Sequence, residues 1–192
     1  MVIAAAKRGA RGHGVEFNPN MVELSNRLAR QAGVGDMARF IEGDMFVADI
    51  SCATVLPLFL LSENLNQLTP NFLKLRPGTR IVSNGFLIDG WAHDESATAA
   101  GDCGHWCCVF LYIVPAQAGG AWRLGEEILT INQEFQKFTG RLGAITLEGG
   151  RVNGAEITFT AGKTRFTGRI TGDEMRGEAK GARPGSWSAR RE

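Results

Sequence analysis

GHGVEFNPNMVELSNRLARQAGVGDMARFIEGDM, residues 12–45, decides the fold. It opens on GHGVEFN, a short run with the look of a buried strand. Asn18-Pro19 then supplies an N-cap asparagine and a proline at the first helical position. Met21, Leu24, Leu28 and Ala32 follow at helical spacing, and Gly33 closes the helix. ARFIE (38–42) is a second strand, ending in Gly43-Asp44. Strand, helix and strand in this order predict a βαβ unit and a parallel sheet.

Upstream, Ile3 to Ala6 are apolar, and Lys7 and Arg8 precede Gly9, which reads as the end of a helix over 3–9. Downstream, ATVLPLFLL (53–61) is nearly all apolar, as for a strand buried on both faces. A helical stretch is expected from Thr69-Pro70 to Leu75 with Thr69 as its cap, then a turn at Arg76-Pro77-Gly78 and a fourth strand, TRIVSNGF (79–86). Residues 88–106 read as a loop, HWCCVFLYIVPA (105–116) contains one more strand, and Ala118-Gly119-Gly120 reads as a linker.

From Ala121 onward the pattern is short strands: ILTINQEF, GRLGAITL, AEITFTA, TRFTGRIT, EMRGEA and SWSAR. Turns are expected at Gly149-Gly150, Asn153-Gly154, Ala161-Gly162 and Gly172-Asp173. Of the 25 glycines, 14 lie in 119–192 and 11 in the longer stretch 1–118, which supports two architectures in one chain. The expected organisation is an α/β domain over 1–118 and a small antiparallel β-sandwich or barrel over 119–192.

Composition excludes several function classes. The 21 basic and 20 acidic residues give a net charge of +1, without the global footprint of a nucleic-acid binder. No apolar run approaches the roughly 20 residues that span a bilayer. The basic residues of the N-terminus follow its apolar run, the reverse of a secretory signal. Four cysteines are too few for a disulfide scaffold, and a reducing, cytoplasmic compartment is the default; an export signal upstream of Met1 would reverse it. The terminal half carries more basic than acidic residues, a weak candidate surface for anionic partners. Its aromatics, Trp122, Phe135, Phe138, Phe159, Phe166 and Trp187, are expected in the core.

Two acids stand at expected strand ends, Glu16 and Asp44. Ligands of open parallel sheets bind at the carboxyl ends of strands. An acid after one strand suits a ribose diol, and an acid after the next suits the exocyclic amine of adenine; the alternative is a pair of solvated carboxylates. Cys103-Gly104-His105-Trp106-Cys107-Cys108 invites a metal, but four ligands in six residues surround one ion poorly. Buried thiols on a strand are the expectation there, with no metal.

G-V-E-F-N-P (14–19), E-G-D-M-F (42–46) and L-R-P-G-T-R-I-V-S (75–83), in this order and spacing, resemble a class I S-adenosylmethionine-dependent methyltransferase over roughly residues 1–115. More narrowly, the chain is similar to bacterial relatives of the non-SET-domain lysine methyltransferases, including those acting on lysines of mitochondrial carriers and of the ATP-synthase c-ring protein. The resemblance implies a Rossmann-like sheet, S-adenosyl-L-methionine as cofactor and methylation of a protein lysine or a small molecule. It implies that Glu16 holds the ribose hydroxyls, with Phe17 and Asn18 beside it in the cofactor site. Asp44 and Met45 would meet the adenine edge and face, and Phe59 the region of the sulfonium and substrate.

This chain departs from the family at the acidic glycine-rich segment, of the D-x-G-x-G-D-G-R kind, that precedes the helix beginning here at Met1. No such segment occurs, and Gly12-His13-Gly14 is not a substitute, so an N-terminally truncated sheet is expected. Asp89, Asp94 and Glu95 are acids in the loop after the last mapped strand, none assignable as a base. Leu60-Leu61-Ser62-Glu63-Asn64 stands where DNA amino-methyltransferases carry Asn/Asp-Pro-Pro-aromatic, which counts against a DNA target. Two other readings stay open: a non-catalytic protein binding through its β-domain, and an enzyme using Glu16 on the ribose of NAD.

Overall fold

Residues 12–45 fold as strand, helix and strand. The computed structural model describes residues 1–101, 103 and 106–192, and contacts divide the chain into two compact units, Met1–Cys52 and Ala53–Glu192.

Met1–Cys52 contains α1 (Val2–Ala6), β1 (Gly12–Glu16), α2 (Pro19–Gln31) and β2 (Ala38–Glu42). Asn18 caps α2, its Oδ1 accepting from the Asn20 N–H at 3.0 Å. β1 and β2 pair in parallel, Gly12 opposite Ala38 and Glu16 opposite Glu42. The core is small: Ala6, Ala29 and Ala38, lined by Val2, Ile3, Val34, Met37 and Phe40. Close packing explains the Gly12-His13-Gly14 pattern. A Cβ on Gly12 would stand 2.8 Å from the Val2 side chain, and one on Gly14 2.5 Å from the Phe40 ring. Asn26 fixes α2 to β2, donating to the Phe40 carbonyl at 2.8 Å and accepting from its N–H at 3.0 Å. β1, expected to be buried, is only partly covered.

In Ala53–Glu192, β3 (Val55–Leu58), α3 (Ser62–Phe72), β4 (Arg80–Asn84), β5 (Glu95–Thr98) and β6 (Cys108–Ile113) build a four-stranded sheet of order β3-β4-β6-β5. β3 and β4 are parallel, whereas β6 runs antiparallel to both β4 and β5. The sheet is therefore mixed rather than wholly parallel. β3 is not buried on both faces: it is an edge strand of this sheet, with Val55 and Pro57 exposed. Pro57 is the residue that fits an edge, since proline donates nothing to a ladder.

α3 begins at Ser62, not at Thr69. Leu65, Leu68 and Phe72 set its buried face, Pro70 lies inside its last turn, and the Thr69 hydroxyl donates back to the Leu65 carbonyl at 2.9 Å. The expected loop over 88–106 contains β5, an exposed strand whose polar sequence ESAT carries no apolar alternation.

The remainder is β7 (Gly120–Leu124), β8 (Glu127–Glu134), β9 (Lys137–Leu142), β10 (Ile145–Asn153), β11 (Glu156–Ala161), β12 (Thr164–Thr171), β13 (Glu174–Gly181) and β14 (Gly185–Arg191). Each pairs antiparallel with the next, and β14 returns to β7 through Ala189–Leu124, Arg190–Arg123 and Arg191–Trp122, closing an eight-stranded barrel. A barrel of this size has an interior that side chains fill. Here Trp122, Leu129, Ile131, Phe138, Phe159, Phe166 and Trp187 are among the residues that fill it.

Several local expectations are corrected. Ala118-Gly119-Gly120 is no linker: Ala118 is buried, its carbonyl accepts from Trp122 Nε1 at 2.8 Å, and Gln133 Oε1 accepts from the N–H groups of Ala118 and Gly119. GRLGAITL is two strands turning at 143–144. Gly149-Gly150 is a bulge within β10, where the register shifts between Glu148 and Arg151. Phe135 leaves the barrel core and stacks on buried Trp91 at 5.1 Å.

Barrel and four-stranded sheet are clasped together. Asp94, its side chain only 4% exposed, accepts from Arg151 at 2.6 Å and from the Ile113 N–H at 2.7 Å. Buried Gln136 donates to the Ala92 carbonyl, and the Ala116 N–H to the Gly154 carbonyl.

Candidate active site

Parallel, in-register pairing brings the carboxyl ends of β1 and β2 to one edge of Met1–Cys52. Glu16 ends β1, and the chain leaves β2 through Gly43-Asp44, the Gly43 N–H donating to the Glu16 carbonyl at 3.1 Å. Five of the six residues singled out from the sequence, Glu16, Phe17, Asn18, Asp44 and Met45, thus share that edge.

Local hydrogen bonds orient the acids. The Asn18 N–H donates to Glu16 Oε1 at 2.9 Å, which turns the carboxylate back over the start of α2. Asp44 Oδ1 accepts from the Phe46 N–H at 2.8 Å, an Asx turn that fixes the chain as it leaves β2. Asn18 spends its side-chain oxygen on the helix cap. Phe17 is 81% exposed, so its ring is an open apolar face beside Glu16. Further along, Asp49 accepts hydrogen bonds from Ser51, which hold its carboxyl below the ordinary value.

Phe59 lies in the second unit, directly after β3, and is half exposed. Its ring touches two that sequence reasoning passed over, Phe86 and Trp106, at centroid distances of 6.2 and 5.1 Å. Of the candidate bases, Asp94 is committed to Arg151 and Ile113, and Asp89 pairs with Asn66, accepting from its Nδ2 at 2.7 Å. Glu95 stands on β5.

The cysteine cluster is not a set of buried thiols. Cys103 and Cys107 form a disulfide, and Cys108 is free and exposed at the start of β6. Gly104 and His105 lie outside the described residues. On the barrel, an open groove of about 800 Å³ is lined by Arg123, Glu174, Arg176, Trp187 and Arg190 among others. Arg190 and Arg176 both bond Glu174 and hold its carboxyl below the usual carboxylate range. Arg123 pairs with Glu192.

The fold and the comparisons define a known class. The chain belongs to the class I S-adenosylmethionine-dependent methyltransferases, and its cofactor is S-adenosylmethionine. The model of the ANTKMT methyltransferase domain matches residues 1–95.

A protein-lysine N-methyltransferase of Saccharolobus islandicus is 36% identical over 118 residues, 59% of this chain and 72% of that protein. A mouse lysine N-methyltransferase named for the C component of ATP synthase is 30% identical over 128 residues, 66% of this chain; the match spans half of the mouse protein's length. Among solved structures, an RNA methyltransferase from Salinibacter ruber in complex with S-adenosyl-L-homocysteine is 41% identical. It covers 60% of this chain and 74% of its own, with a TM-score of 0.55.

Proposed function

We propose that the chain transfers a methyl group from S-adenosylmethionine to a lysine of a protein substrate. The observation that carries the proposal is the shared carboxyl edge of β1 and β2, where the Gly43 N–H meets the Glu16 carbonyl and sets Glu16 and Asp44 side by side in the fold.

The donor set fits the adenosine half of the cofactor. Glu16, turned by Asn18, offers carboxylate oxygens to the ribose hydroxyls; Asp44 offers an acceptor to the adenine amine; Met45 and Phe17 offer apolar faces to the ring. The acidic glycine-rich segment that family members place against the methionine half does not occur within residues 1–192. When bound, the cofactor supplies a methyl group already activated on a sulfonium. The protein's own work is then alignment and exclusion of water rather than nucleophilic chemistry. A lysine acceptor must lose its proton before it attacks the methyl group, and Asp94, locked to Arg151, is not the group that takes that proton.

Protein is favoured over RNA as acceptor on electrostatic grounds. The net charge is +1, and Arg169, Arg176, Arg183, Arg190 and Arg191 of the barrel are paired with acids, which makes these five less available to phosphates. Incubation with methyl-labelled cofactor, a lysine-rich polypeptide and bulk RNA tests this. Label is expected as methyl-lysine on mass-spectrometric digestion. Label confined to RNA would overturn the lysine assignment.

A further inference from the structure

An aromatic surface at the carboxyl ends of β3 and β4 carries more than Phe59. Phe86 follows β4, and Trp106 precedes β6. Phe59 and Trp106 meet edge to face at 5.1 Å, and Phe86 and Trp106 lie at 5.5 Å. Rings that cluster usually do so by leaving water, yet Phe59 is 53% and Trp106 49% exposed.

Trp106 is nonetheless firmly held. The Cys103–Cys107 disulfide closes a small covalent ring around its position. Its N–H donates to the Cys103 carbonyl at 3.0 Å, and its carbonyl accepts from Asn84 Nδ2 at 3.0 Å. Gly85 lies under the indole: it has φ +76°, and a Cβ there would stand 3.0 Å from Cε3. Fixing a side chain costs conformational entropy that burial normally offsets. Here half of the indole is fixed and still faces water, which is the arrangement of a surface kept ready for a ligand.

We propose that Trp106, with Phe59 and Phe86, receives the alkylammonium group of the methyl acceptor, and that the Cys103–Cys107 disulfide holds this surface in place, so that acceptor binding is redox-sensitive. The proposal rests on the lysine-methyltransferase reading above. The negative faces of aromatic rings attract an organic cation, most strongly when it is partly desolvated. The ends of parallel strands are where α/β sheets place their ligands. Reduction would proceed by thiol–disulfide exchange with a dithiol. One thiolate attacks a protein sulfur, and the second resolves the mixed disulfide. Cys103 and Cys107 are left as thiols, the dithiol is oxidised to its cyclic disulfide, and two electrons pass to the protein. The covalent ring around Trp106 is then open.

The test titrates Nε-trimethyl-lysine into the oxidised 192-residue chain while following indole emission. Trp91, Trp122 and Trp187 are buried, so saturable quenching reports Trp106. Quenching is expected, with affinity falling about five- to tenfold, the scale of one cation–π contact, after reduction with dithiothreitol and in C103S/C107S. Gly85→Ala, which keeps the disulfide but displaces the indole, should lose affinity to the same extent. Absence of saturable quenching in the oxidised chain, or unchanged affinity after reduction, would overturn the proposal. S-adenosylhomocysteine binding is measured by calorimetry on the same samples. Its absence defeats the cofactor assignment in Met1–Cys52, while the trimethyl-lysine titration decides this one separately.

Discussion

In the barrel, Phe159, Phe166 and Trp187 are buried against one another, Phe159 stacked on Phe166 at 4.7 Å. At the strand ends of the α/β elements, Phe17 is 81% exposed, and Phe59 and Trp106 are each about half exposed. The same residue types do different work in the two regions. The barrel closes on itself and uses its aromatics to fill an interior. In Met1–Cys52, Phe17 is open beside Glu16, and in the second unit Phe59 and Trp106 meet edge to face while about half of each stays exposed. The buried aromatic core lies in the first region, and the proposed ligand surfaces lie in the second.

The largest effect that would sharpen this contrast comes from truncating one aromatic in each region. Phe159→Ala should cost about 3–5 kcal/mol by leaving a cavity, whereas Phe17→Ala should stay within about 0.5 kcal/mol. Denaturant midpoints of the two variants check this, and equal losses would break the comparison. Next is the clasp between sheet and barrel. Arg151→Ala leaves the Asp94 carboxylate covered and without its cation, and should cost about 3 kcal/mol by thermal unfolding.

Much of this was legible because local signals agreed. The Asn18-Pro19 cap and the helical spacing from Met21 to Ala32 each held a single meaning, and Glu16 and Asp44 were legible as acids at strand ends. The barrel hairpins were readable from glycines at two-residue turns such as 162–163 and 172–173, where left-handed φ is required. What escaped had no local signature. β5 is polar and exposed, β7 starts on a glycine that reads as linker, and Thr69-Pro70 imitates a helix start inside α3. Disulfide pairing depends on where the chain brings sulfurs together. The trio of Phe59, Phe86 and Trp106 exists only once β3, β4 and β6 are adjacent. For Glu16 and Asp44, position in sequence sufficed to put them at strand ends; the neighbours of Trp106 could not be read that way.

Smaller effects probe each region from within. Asn26→Ala removes both hydrogen bonds to Phe40 and should cost about 1–2 kcal/mol, seen as faster amide exchange at Phe40. Tyr112 is buried, and burial raises its pKa above 10.0. Its folded value therefore exceeds its unfolded one, so its contribution is complete below pH 10.0 and is lost as pH rises through the raised value. Unfolding free energy should decline above that pH, and Tyr112→Phe should flatten the decline. At neutral pH the variant should cost only about 1 kcal/mol, from the Ile88 N–H that the phenol oxygen accepts.

The assignment of the cofactor to the β1–β2 edge is tested most directly by calorimetry with S-adenosylhomocysteine on the wild-type chain and Glu16→Ala side by side. The geometry predicts binding to the wild type and an affinity at least about tenfold weaker in the variant, the scale of losing charge-assisted hydrogen bonds, with thermal stability unchanged. Equal binding by both proteins, or no binding by the wild type, would contradict it.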